Sequence, residues 1–332
     1  MPGPPDPRID RLSALVTEHY VFPDVGQQVV AVLAEQVARG AYTGLDDEAF
    51  AEAVTVDLQS ANADLHLRLQ HSLDELVEGE GELFDEEAYR AEMELDGFGI
   101  ARVERLPGNV GVLDLRLLHS ARWGGHAAVA AMNLLAHTDV LLLDLRRCRG
   151  GDPAMVALLC SYLFDDDVHL NDLYHRADDS TAQFWTLPYV PGSRFGGTKP
   201  LYVLTSTTTF SGAEELTYNL QQRRRATVIG ETTRGGAHPV QAYRVDTHLR
   251  VTVPIARAVN PVWGTNWEGT GVTPDVEVPA DRAFEEAYRV ALEHVLALGA
   301  AGVRRAVHDE AEEALGPARR REPPAAPAPA II

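Results

Sequence analysis

Residues 139–153 read DVLLLDLRRCRGGDP, and this stretch decides the fold. Its first half, 139–146, is a nearly continuous apolar run, the pattern of a strand buried on both faces of a parallel sheet. Gly150 and Gly151 then mark a turn. Asp152 and Pro153 suit the N-cap and first position of a helix over 153–164. The same order recurs on either side. A strand at 200–206 (PLYVLTS) runs into a helix that begins near Ser211, and a short strand at 226–230 (ATVIG) follows. Upstream, 110–117 (VGVLDLRL) alternates and 123–137 reads as an Ala-rich helix. Alternating segments at 240–246 and 248–256 and an amphipathic helix over 281–298 complete an α/β core spanning 98–300.

The flanks differ from this core. Ile9, Leu12 and Val16, then Val29, Leu33 and Val37, then Phe50, Val54 and Leu58 recur at helical spacing. Residues 1–97 therefore read as a small acidic helical-bundle domain. The run from Asp74 to Glu87 lacks a calcium-loop spacing and reads as a solvated surface segment. Residues 301–332 form a Pro/Ala-rich tail, with PARRREPPAAPAPA at 317–330, expected to be largely disordered.

Twenty-nine basic side chains against 49 acidic ones leave a formal net charge of −20, and the first hundred residues hold 22 acids but only 5 bases. Such a surface repels phosphate backbones and anionic lipid, which argues against nucleic acid or a membrane as partner. The N-terminus lacks the basic and apolar regions of a signal peptide, so a cytoplasmic location is expected. Cys148 and Cys160 are too few for a disulfide framework and read as buried structural thiols, and no Cys/His cluster has zinc spacing. No metal or cofactor is expected. Lys199 is the only lysine in the chain.

Ser211 stands where a strand gives way to a helix, followed by Gly212, Glu214 and Glu215. Taken alone, a serine there is most simply an N-cap. The same place also suits a nucleophile, because free N–H groups at a helix start can hold the oxyanion of an acyl-transfer intermediate.

Four ordered segments change the balance: DLHLRL at 64–69, LLLDLRRCRGG at 141–151, the Ser211 segment through GETTRGGAHP, and WEGTGVTPDVEV at 267–278. Together they resemble the superfamily of serine peptidases that contains the tail-specific proteases and the tricorn protease core. The helical N-terminus resembles the branch of interphotoreceptor retinoid-binding protein, and too few residues follow DLHLRL for a PDZ domain. The resemblance implies a crotonase/ClpP-like ββα core and a nucleophile at Ser211. In the tail-specific type the base is a lysine at the position of Gly236. Lys199, before the strand 200–206, is poorly placed to replace it, and arginine stays protonated. The tricorn type instead implies His66 as base and Glu268 as the orienting carboxylate, directly or through an intervening residue. Leu65 replaces that type's serine before the histidine. His238 is the alternative base. The resemblance also implies an oxyanion hole from Gly150, Gly151 and Gly212, while Arg149 and Arg234 are weaker candidates to bind a substrate carboxylate.

The expected function is a serine hydrolase acting on a peptide or small acyl substrate. Two other readings stay open: a non-catalytic carrier of an apolar, retinoid- or lipid-like ligand, and an ester hydrolase on the same triad. Related folds self-associate, so a homo-oligomer is an expectation without a legible interface.

Overall fold

The computed structural model describes residues 6–76 and 85–316. Asp6 starts the chain's first helix by accepting the Arg8 amide, with Pro7 at the first position. Three helices follow in order: α1 (Pro7–His19), α2 (Pro23–Arg39) and α3 (Asp47–Gln59). Gly40 ends α2 at φ 72°, a left-handed cap that favours glycine. The periodic positions Leu12, Val16, Val29, Leu33, Phe50, Val54 and Leu58 all turn inward. After β1 (Arg68–His71) comes α4 (Glu86–Leu95).

The core then runs β2 (Ile100–Leu106), β3 (Val110–Leu115), α5 (Ala121–Leu135), β4 (Val140–Asp144) and α6 (Pro153–Leu163). It continues through β5 (His169–His175), β6 (Ser180–Trp185), β7 (Leu201–Thr205), α7 (Gly212–Gln222) and β8 (Thr227–Gly230). The last elements are β9 (Val240–Arg244), β10 (Leu249–Pro254), β11 (Ala256–Val259), β12 (Val276–Glu277), α8 (Ala280–Ala297) and α9 (Arg305–Leu315).

The central sheet has the order β12-β8-β7-β4-β3-β2, parallel except for the antiparallel edge strand β2. Residues of α5, α6 and α7 cover one face and those of α8 and α9 the other. The glycine turn after β4 and the serine turn after β7 thus open side by side at the carboxyl ends of adjacent parallel strands, where such sheets build their sites. Two smaller sheets, β1-β10-β9 and β11-β5-β6, stand around that end.

The structure adds to the sequence reading at three places and corrects it at one. All six residues of β3 are inside, because it is an interior strand covered on both faces. The N-terminal helices share one core with Tyr243, Leu249, Val251 and Val253, since β1 pairs with β10. The core does not stop at residue 300, because α9 buries Ala311 and Leu315 against it, a short amphipathic helix hidden by the composition of the tail. The β5–β6 hairpin has no counterpart in the sequence reading. The tail 317–332 and the centre of the acidic run, 77–84, lie outside the described residues. Among the described residues no helix is long and apolar enough to cross a membrane.

Candidate active site

The chain leaves β7 at Thr205 and reaches α7 through Ser211, whose backbone sits at φ 54°, ψ −123°. A side chain held there costs on the order of 1–3 kcal/mol, so the surroundings must impose it. Several contacts do. The Phe210 amide donates to Cys148 O at 3.2 Å, tying the serine turn to the glycine turn. Glu214 Oε2 accepts the Ser211 amide at 2.8 Å, forming a capping box with the serine. The other bonds of Glu214 reach forward: Oε1 accepts from Thr233 Oγ1 and the Gly235 amide, and Oε2 also accepts the Gly236 amide at 2.9 Å. One buried carboxyl therefore fastens segment 233–236 to the serine. Burial raises its pKa, and these hydrogen bonds only partly offset that rise.

The N-cap and nucleophile readings of Ser211 turn out to be compatible. While it opens α7, its Oγ lies 3.1 Å from His66 Nε2. His66 sits just before β1, where Asp64 Oδ1 accepts its amide and Thr252 Oγ1 donates to its carbonyl. The Phe210 ring stacks on the imidazole with centroids 4.5 Å apart, and the Arg234 guanidinium lies over Phe210 at 5.0 Å. Burial depresses the imidazole pKa to about 4. Asp64 opposes this, while His238, Arg68 and Arg234 add to it. His66 is therefore neutral at pH 7, as a proton acceptor must be.

His238 occupies a different place. Its Nδ1 is 2.8 Å from Asp64 Oδ2 and 3.4 Å from Glu268 Oε2, so it bridges two carboxylates. Asp64 is fully buried and also accepts from Tyr20 Oη at 3.0 Å. Burial acts to raise the Asp64 pKa, but the hydrogen bond and charge of His238 outweigh it and hold the carboxyl below its usual range. Glu268 Oε2 accepts the Ala237 amide at 2.5 Å, and burial pushes this carboxyl up to about 7 against the opposing charge of His238. Glu268 makes no direct hydrogen bond to His66: Glu268 Oε1 and His66 Nδ1 are both buried and unpaired. A donor atom from each of Asp64, His66 and Glu268 nevertheless falls within 4.8 Å of the others. A cation would tolerate that spacing. Asp64, however, already accepts bonds on both oxygens, so the cluster reads as a hydrogen-bond network.

The two turns interlock. A Cβ on Gly150 would lie 2.6 Å from the Gly212 nitrogen and 2.7 Å from Ser211 Cβ, and one on Gly212 would lie 2.8 Å from the Gly151 nitrogen. Only glycine permits this approach, and it brings the amides of Gly151 and Gly212 together beside the serine. Neither amide has a protein acceptor among the described residues. A serine hydroxyl, a neutral imidazole at 3.1 Å and two free N–H groups are the parts of an acyl-transfer site.

Residues 109–278 match peptidase family S41, and residues 7–95 match the N-terminal domain of that family in eukaryotic IRBP. This chain belongs to peptidase family S41. Solved structures agree on the fold. A putative peptidase from Parabacteroides merdae aligns over 90% of this chain and 100% of its own, at 16% identity and a TM-score of 0.61. A lipoprotein from Streptococcus agalactiae aligns over 88% and 98%, at 15% identity and TM-score 0.59. The photosystem II D1 C-terminal processing protease aligns over 82% and 93%, at 15% identity and TM-score 0.52.

Beside Ser211 and His66 lies a pocket of about 270 Å³ lined by His66, Gly151, Ser211 and His238, with Leu173, Ala258 and Trp267 among its apolar walls. Arg149 and Arg234 do not line it. Both are exposed, and only Arg234 approaches, through Phe210. Lys199 is remote from the serine end of β7, donating from Nζ to Ala136 O and Thr138 O. Cys148 is buried with its thiol pushed up to about 12, and Cys160 is also buried and unpaired. The sequence reading missed Asp64, Phe210 and Glu214. Asp64 stood two residues before His66 in the quoted DLHLRL motif, and Glu214 was legible as the third residue of a helix begun by serine.

Proposed function

We propose that this chain is a serine peptidase that hydrolyses short or unstructured peptides through an acyl-enzyme on Ser211. The observation that carries the reading is the 3.1 Å contact between Ser211 Oγ and His66 Nε2, beside two glycine amides without protein acceptors. His66 takes the hydroxyl proton as Oγ attacks the substrate carbonyl, and the resulting oxyanion is held by the Gly151 and Gly212 amides. His66 then passes its proton to the leaving amine. A water deprotonated by the same imidazole cleaves the ester and regenerates Ser211. The imidazolium that forms transiently is stabilised by Asp64 and Glu268, whose carboxyl groups lie close to it. In this reading Glu268 orients the site through His238 and the Ala237 amide. His238 is a positioning residue, because the imidazole within hydrogen-bond reach of Ser211 Oγ is that of His66, while His238 Nδ1 holds Asp64.

The test is covalent labelling by a small fluorophosphonate together with turnover of a mixed peptide library. Wild-type protein should label and cleave, and Ser211→Ala should do neither. Equal labelling and turnover in both would refute the assignment.

A further inference from the structure

We propose that Glu215 sets the specificity of the Ser211 pocket, making it a receiver for the lysine or arginine side chain of the residue that contributes the scissile carbonyl. This inference rests on the peptidase reading above.

Glu215 lies one helical turn beyond Ser211, its amide donating to the Ser211 carbonyl at 2.9 Å, so both side chains share one face of α7. Four residues of helix advance about 6 Å. Glu215 lines the same pocket as Ser211 and His66 and is the only acid among the described residues that does so. It is also 96% buried, being only 4% exposed, and its Oε1 is sealed from solvent with no hydrogen-bond partner. The groups that face it are neutral or negative: Asn171 on β5, Asn219 on α7, the Cys160 thiol on α6 and the Asp152 carboxylate at the start of α6. The two asparagines lie close enough to temper its rise, yet neither amide makes a hydrogen bond of ordinary geometry. Burial pushes the carboxyl up to about 7.

A buried carboxyl with one oxygen lacking a hydrogen bond of ordinary geometry costs about 1–3 kcal/mol. The Asn171 and Asn219 amides beside it offset its burial only in part, which leaves a place for a partner from outside the chain. A cation satisfies it best, because ionic hydrogen bonds are the strong ones and an incoming positive charge also relieves the repulsion from Asp152. The walls contributed by Pro153, Leu173 and Ala258 suit the aliphatic stem of lysine or arginine, whose polar end then reaches the carboxyl.

The experiment compares peptides that differ only at the residue contributing the scissile carbonyl, bearing lysine, arginine, glutamine or norleucine. Hydrolysis is measured with wild type and Glu215→Gln at pH 6 and pH 8. Binding of the same peptides is measured by calorimetry with Ser211→Ala and with Ser211→Ala/Glu215→Gln. Wild type should favour lysine or arginine over norleucine at least tenfold at pH 8. That ratio should shrink at pH 6, where the carboxyl gains its proton, and should collapse in Glu215→Gln. Hydrolysis with no basic preference, or with a ratio that ignores both pH and Glu215→Gln, overturns the inference and leaves the peptidase reading standing. Basic peptides that bind through Glu215 without being cleaved by wild type support the pocket assignment and overturn the peptidase reading. Neither cleavage nor Glu215-dependent binding overturns both.

Discussion

A Cβ placed on Gly236 would lie 2.6 Å from Cε1 of His66 and 2.3 Å from Cε2 of Phe210. The position that holds a lysine in the tail-specific pattern is here filled from outside by an imidazole, and the two solutions compete for one space. Gly236→Ala is therefore expected to displace His66 from Ser211. Fluorophosphonate labelling should slow by at least tenfold while thermal stability changes little, and Gly236→Lys should be slower still rather than gaining a new base. Unchanged labelling in Gly236→Ala would show that His66 is not the proton acceptor.

The base should titrate far from the ordinary histidine range. Burial, with His238, Arg68 and Arg234, depresses the His66 pKa to about 4 against the pull of Asp64. The acid limb of kcat/KM is then expected below pH 5 instead of near 6.5, and Arg234→Gln should move it upward by removing one of the cations. A limb near 6.5 that ignores Arg234 would assign the base elsewhere.

Stability should carry two opposite pH signatures. The depressed pKa of His66 contributes stability that is present above about 6.5 and lost as pH falls toward 4. The raised pKa of Glu268 works the other way. Its contribution is present below the ordinary carboxylate pKa and is lost as pH rises through about 7. Above about pH 6.5 the His66 contribution is constant, so urea midpoints of wild type should decline from pH 6.5 to pH 8, and Glu268→Gln should flatten that decline. Some slope should remain, because Glu215 shifts in the same direction. An identical decline in both proteins would contradict the buried environment of Glu268.

Much of this site was legible in the sequence because its parts lie in short contiguous motifs. The strand–glycine turn at 139–153 and the strand–serine turn at 200–212 encode their own backbone geometry, so Gly150, Gly151, Ser211 and Gly212 come together wherever β4 and β7 are neighbours. What stayed hidden depends on pairings between distant segments. Asp64 meets His238 across 174 residues, and β1 meets β10 only in the folded chain. No local pattern announces either contact. His238 illustrates the consequence: its place after the serine suggested a base, whereas the fold sets His66 at 3.1 Å from Ser211 Oγ and leaves His238 bridging Asp64 and Glu268.

That Asp64–His238 bond leads to a further expectation. Asp64 accepts the His66 amide, Tyr20 Oη and His238 Nδ1 at a fully buried position, so it joins the N-terminal helices to the loop between β8 and β9. Removing one partner of a buried pair leaves the other uncompensated, at a cost of about 3–5 kcal/mol. Asp64→Asn should lower unfolding stability by that order in urea titrations and also slow labelling of Ser211. A stable variant with normal labelling would reduce Asp64 to a bystander.

The two free amides of the glycine and serine turns give a sharper kinetic signature. Gly212 has no positive φ that demands glycine, so only its contact with Gly151 restricts the position. In Gly212→Ala the new Cβ would sit 2.7 Å from Gly151 O and 2.8 Å from Gly151 N, forcing the turns apart. The two N–H groups would then miss the oxyanion, which exists only in the transition state. The loss should fall on kcat, roughly 10²–10³-fold as for removal of one oxyanion donor, with KM changing much less. A comparable rise in KM at constant kcat would instead place these amides in ground-state substrate binding, and the oxyanion would have to be held elsewhere.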